Sequence, residues 1–153
     1  MAGKLQAEIA QSKPFESIEA EAFLNLAKTA DVLQQSLEDV LKPYGISHTQ
    51  YNVLRILRGA GPAGLSCREI AERMISHDPD VTRLLDRMEK AGHVTRDRAT
   101  TDRRVVLTHI TPAGLKLIDQ VDQPMQAALR KNLGHVDKKR LATLIDVLEL
   151  IRK

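Results

Sequence analysis

The most directional side-chain chemistry in this chain is gathered in Asp80-Val81-Thr82-Arg83-Leu84-Leu85-Asp86-Arg87-Met88. At helical spacing Val81, Leu84, Leu85 and Met88 fall on one face, and Thr82, Arg83, Asp86 and Arg87 fall on the others. An arginine presents a planar fork of donors that can hold two acceptors at once, as on the edge of a guanine, and a threonine can touch a phosphate or a thymine methyl. Four further arginines follow closely, Arg96, Arg98, Arg103 and Arg104. These long cations can reach backbone phosphates or a narrow minor groove.

Other chemistries are weaker. Gly59-Ala60-Gly61-Pro62-Ala63-Gly64 has the spacing of a dinucleotide-binding loop, but it follows a helical pattern rather than a strand, and Pro62 removes a backbone N–H where a phosphate cradle needs one. It reads as a flexible connector. Cys67 sits in the first turn of a short predicted helix beside Arg68, where a thiol pKa would fall, yet a small residue in or near the core is the simpler reading. The histidines, His48, His77, His93, His109 and His135, are scattered without metal-ligand spacing, so no metal or cofactor is expected. Met74, Met88 and Met125 read as core. No nucleophile, general base and orienting residue stand together, so an enzyme is not expected.

The elements that must hold these side chains can be read from composition and period. A chain of 153 residues suits one domain, and 42% hydrophobic residues are enough for a core without disulfides. Aromatic residues make up only 3%, which favours helices over a sandwich or barrel. A single cysteine fits a reducing cytoplasm, and neither a signal peptide nor an apolar run of membrane-spanning length is visible. Net charge is only +3, but residues 14–41 carry −5 and residues 42–153 carry +7. That asymmetry permits a polyanionic partner without establishing one.

Phe23, Leu26, Ala27, Ala30, Leu33, Leu37, Val40 and Leu41 repeat at steps of three and four, predicting one amphipathic helix over 17–42 that Pro43 and Gly45 stop. Ser47 with Gln50, and Ser66 with Glu69, have the form of capping boxes opening helices to Arg58 and Met74. Asp78 before Pro79 predicts an N-cap and first helical residue, with that helix running to Ala91 and closed by Gly92. The period then shortens: 93–98 and 105–110 read as strands joined by a polar hairpin. Thr111-Pro112 opens a helix to Leu133 with a kink expected at Pro124, and Asp137 caps a last helix with Leu141, Leu144, Ile145, Leu148 and Ile151 on its apolar stripe. The expected fold is mainly α (α+β), a winged helix-turn-helix with helical extensions at both ends. Its second helix of the pair would enter a major groove.

Three segments carry a resemblance to the MarR family of bacterial transcription regulators. Asp80 to Val94 resembles the family's recognition helix and first wing strand. Asp102-Arg103-Arg104-Val105-Val106-Leu107-Thr108-His109-Ile110-Thr111-Pro112-Ala113-Gly114 resembles its wing and the entry to the next helix. Thr49-Gln50-Tyr51-Asn52-Val53-Leu54-Arg55-Ile56-Leu57 resembles its second helix. The resemblance implies an N-terminal arm over 1–16 and one domain over 17–153, with dimerisation helices at 17–42 and 111–153, a helix-turn-helix at 66–91 and a wing at 93–110. It implies a homodimer on a pseudo-palindromic double-stranded DNA operator, with half-sites about one helical turn apart. Thr82, Arg83 and Arg87 then become the recognition-helix candidates, Arg98, Arg103 and Arg104 the wing candidates, and Asp86 the partner of a wing arginine.

One departure stands out. Family members often carry a small neutral residue near the helix start, where this chain has Asp78-Pro79-Asp80. Asp80 is open to two readings, an acceptor for a cytosine amino group or a carboxylate that stabilises the helix dipole. The resemblance also places a site for a small aromatic or phenolic effector around Tyr44, His48, Tyr51 and Arg55, although ordinary packing explains the same residues. The family's redox sensors carry a cysteine in the first helix, which has none here, and the ligand cluster of zinc-sensing relatives has no counterpart.

The expected function is a cytoplasmic, ligand-responsive repressor. Operator sequence, regulated genes, effector and the choice between repressor and activator are not encoded legibly. A winged-helix module that binds protein rather than DNA is the alternative, favoured by the net charge of only +1 over residues 66–110.

Overall fold

A computed structural model describes residues 3–77 and 80–153. The chain divides into two compact units, residues 1–36 and 37–153. The first holds α1 (Lys4–Glu8), whose Leu5 is buried, and most of α2 (Ile18–Leu41). The helix predicted over 17–42 is α2; α1 was not foreseen, because five residues carry too little periodicity to read.

In the second unit, a short 3-10 turn at Lys42–Tyr44 ends at Gly45 in the left-handed region. Next come α3 (His48–Ala60), β1 (Leu65–Ser66), α4 (Cys67–Arg73), α5 (Val81–Lys90), β2 (Val94–Arg98), β3 (Val106–Ile110), α6 (Pro112–Leu133) and α7 (Lys138–Ile151). Both predicted capping boxes are formed: the hydroxyls of Ser47 and Ser66 accept from the N–H of Gln50 and Glu69, whose side chains accept from the serine N–H in return. These bonds hold the Glu69 carboxyl below the usual carboxylate range.

The sheet is antiparallel with order β1-β3-β2. Val94 pairs with Ile110 and Arg98 with Val106, while β1 adds two residues opposite Leu107 and Thr108. The core joins Leu54 and Leu57 of α3, Ile70 of α4, Val81, Leu84, Leu85 and Met88 of α5, Val94 of β2, and Ile118, Val121 and Met125 of α6. Burying one face of α5 in this way forces its other faces outward. Its C-terminus is fixed as well: Gly92, at φ +81°, donates to the Glu89 carbonyl and His93 donates to that of Met88. This is the Schellman arrangement, which needs a residue free to adopt positive φ.

Thr111 then ties that corner to α6. Its hydroxyl donates to the Gly92 carbonyl at 2.6 Å and accepts from the Gly114 N–H at 3.0 Å. As predicted, α6 runs from Pro112 to Leu133 with Pro124 inside it. Among the described residues no helix is long and apolar enough to cross a membrane.

Candidate nucleic-acid interface

The start of α5 differs from the expectation. Asp78 and Pro79, predicted as N-cap and first helical residue, lie outside the described residues. The cap is Asp80, whose Oδ1 accepts from the Arg83 N–H at 3.1 Å, and the helix begins at Val81. The sequence Asp-Pro-Asp offers two carboxylates ahead of the helix, and the second has the three-residue spacing to a helical N–H. Asp80 also pairs through Oδ2 with Arg83 Nε at 3.2 Å.

With the apolar stripe of α5 buried, Thr82, Arg83 and Arg87 are exposed together. An open hollow on this side is lined by Asp80, Arg83, Asp86, Arg87 and Lys90. Thr82 Oγ1 lies 3.8 Å from Cys67 Sγ, so the first turns of α4 and α5 meet there. The loop between those helices is secured by Asn52 of α3, whose Oδ1 accepts from the Ile75 N–H at 2.9 Å.

The hairpin arginines divide into two groups. Arg96, on β2, reaches across to α5, with Nη2 2.5 Å from Asp86 and 3.0 Å from Glu89. Its bonds to Glu89 first and Asp86 second raise its pKa, and the same contact holds the Glu89 carboxyl below its ordinary range. Arg96 is thus engaged by two carboxylates of α5, and it is the hairpin arginine that stands against Asp86. Arg98 donates to the Arg103 carbonyl at 2.7 Å, and Asp102 accepts from the Arg104 N–H at 3.0 Å, which shapes the tip between the strands. The side chains of Arg103 and Arg104 are exposed. Glu89 was missed by sequence reasoning, although its i,i+3 spacing from Asp86 puts both acids on one face.

The predicted effector residues lie elsewhere in the second unit. Tyr51 is buried in the core, where burial raises its hydroxyl pKa, and Tyr44 packs partly buried against the same cluster. The Arg55 guanidinium lies 6.0 Å from the Tyr51 ring centroid, within cation–π reach. His48 opens α3 with its Nδ1 buried and unpartnered. Nearly three turns further along α3, Arg58 joins Asp119 and Asp122 of α6 at 2.9 and 2.6 Å, and the bond to Asp122 is the main cause of its raised pKa. That junction spans more than sixty residues of sequence and gave no local signal.

A buried-backed helix, a preceding helix at its N-terminal end and an arginine-bearing hairpin beside it make a winged helix-turn-helix. The MarR family model matches residues 46–106, which run from just before α3 to the first residue of β3. Over 126 residues the chain is 30% identical to the HTH-type transcriptional regulator PrsX of Escherichia coli, covering 75% of this chain and 76% of that protein. A MarR transcription factor structure from Planctomyces limnophilus shares 38% identity at TM-score 0.69, covering 90% and 99% of the two chains. An Escherichia coli MarR mutant complexed with operator DNA shares the fold at 24% identity and TM-score 0.76, over 97% and 99%. The chain belongs to the MarR family of transcriptional regulators, a family of regulators and not of enzymes.

Proposed function

We propose that this regulator binds a pseudo-palindromic DNA operator as a homodimer in the cytoplasm and represses transcription until a small aromatic or phenolic effector binds. The observation that carries the DNA reading is the joint exposure of Thr82, Arg83 and Arg87 on α5 beside Arg103 and Arg104 at the hairpin tip. In this reading α5 lies in the major groove, Arg98 shapes the tip, and Arg96, Asp86 and Glu89 fix the angle between wing and helix. That the Escherichia coli MarR mutant of the same fold is complexed with operator DNA supports DNA as the partner.

Dimerisation is supported by apolar surface that a single copy leaves in water. On α7, Leu144, Ile145, Val147, Leu150 and Ile151 are exposed, and on α2, Ile18, Phe23 and Val32. Effector binding is supported by the unpartnered Nδ1 of His48 and by Arg55 over Tyr51, which offer a hydrogen bond and a cation to an aromatic acid. Such a ligand releases the operator only if it binds one lobe spacing better than the other.

Mobility-shift titration tests the docking. Arg83→Ala should weaken operator binding by about tenfold or more and relax the preference for one base, as loss of a bidentate guanine contact does. Arg104→Ala should weaken binding uniformly across sequences and lower the salt slope by about one. Wild-type affinity in both variants contradicts the proposal.

A further inference from the structure

Asp80 meets Arg83 with both of its carboxylate oxygens. Oδ1 accepts from the Arg83 backbone N–H at 3.1 Å, while Oδ2 sits 3.2 Å from that arginine's Nε. Contact through Nε leaves the two terminal Nη groups of a side chain that is 83% exposed for a second partner. Those Nη groups carry the parallel donors that match O6 and N7 of guanine.

We infer that Asp80 is a specificity-determining positioning residue: it holds Arg83 through Nε so that the Nη pair is presented to one guanine in each half-site. This rests on the DNA reading proposed above. An exposed ion pair stabilises the folded chain little, so its contribution lies in orientation. A long side chain already held in one geometry loses less rotamer freedom on docking. When DNA excludes water from the groove, the attraction between carboxylate and guanidinium also strengthens. Meanwhile the negative charge repels every phosphate, whatever the sequence. Asp80 therefore weakens binding to all DNA while favouring one base, which is how a difference in affinity is widened.

An internal control exists. At the start of α7, Asp137 holds Arg140 in the same way, with Oδ1 2.9 Å from the backbone N and Oδ2 3.3 Å from Nε. The same Asp-x-x-Arg cap thus opens both α5 and α7. What distinguishes Asp80 is that its arginine lines an open hollow with Arg87 and Lys90 on the exposed side of α5.

The test is selection of duplexes from a random pool by the full-length wild type, Asp80→Asn, Arg83→Ala and Asp137→Asn. Asparagine still caps a helix, so Asp80→Asn removes the charge without removing the cap. The expected result is loss of guanine preference by about tenfold at one symmetric position per half-site in Asp80→Asn. The same position should relax in Arg83→Ala and stay intact in Asp137→Asn, while Asp80→Asn binds random duplex as tightly as wild type or tighter. If Asp80→Asn keeps the wild-type base preferences, Asp80 contributes only charge and capping, and the inference is overturned while the DNA reading survives. If wild type itself selects no sequence, the DNA reading and the role of Asp80 fall together.

Discussion

Arg96 shows how one side chain sets the relation between two elements. It stands on β2 with its guanidinium between Asp86 and Glu89 of α5, and it is only 22% exposed. Arg96→Ala should lower operator affinity through a looser wing while costing no more than about 1 kcal/mol of stability, because both acids remain hydrated. Affinity and thermal melts on the same variant separate the two effects. The Glu89 carboxyl is held below its usual range by that arginine. Its contribution to stability is therefore complete above the unfolded glutamate pKa of about 4.3 and is lost as pH falls through the lower folded value. Acid titration of stability should show a shallower acid limb in Arg96→Ala than in wild type. The resemblance marked Asp86 as the partner of a wing arginine, but which arginine stands opposite depends on the strand register that pairs Arg96 with Thr108. Asp80 was harder still, since two carboxylates flank one proline and only the backbone path shows which reaches the Arg83 N–H.

At the scale of elements, helices with a clear stripe and a polar cap were legible. Ser47 with Gln50 and Ser66 with Glu69 mark helix starts through bonds that are local in sequence. β1 was not legible, because two residues cannot show alternation and its pairing with β3 comes from distant chain. Inside α6, Pro124 has no N–H to give the carbonyl four residues back. Pro124→Ala should therefore stabilise the fold by about 1–3 kcal/mol, read as a higher thermal midpoint. Gly114 behaves oppositely. A Cβ there would sit 2.3 Å from the His93 carbonyl oxygen and 2.9 Å from Ile110 Cγ1, and backbone cannot yield easily. Gly114→Ala should destabilise by about 1–3 kcal/mol in chemical denaturation, because the start of α6 must move off the sheet.

The whole molecule presents apolar surface that one copy cannot cover. α7 buries none of its residues within the single chain, although its stripe was plain in the sequence. The stripe predicted a helix and an apolar face; in the proposed homodimer a second copy covers that face, and such a partner has no signature in one chain. Sedimentation of wild type should give a dimer, and Ile145→Glu should shift it toward monomer with a lower melting temperature. Charge is also a property at this scale. Residues 66–110 carry only +1, so affinity for DNA must come from where the arginines stand rather than from their number. The most direct measurement is selection of duplexes from a random pool by wild-type protein, followed by affinity for the winner at two salt concentrations. An inverted repeat with half-sites one helical turn apart, and log affinity falling with log salt at a slope of about −0.9 per phosphate contacted, is the predicted result. No enriched sequence, with binding indifferent to salt, would contradict the reading of α5 and its hairpin as a DNA interface.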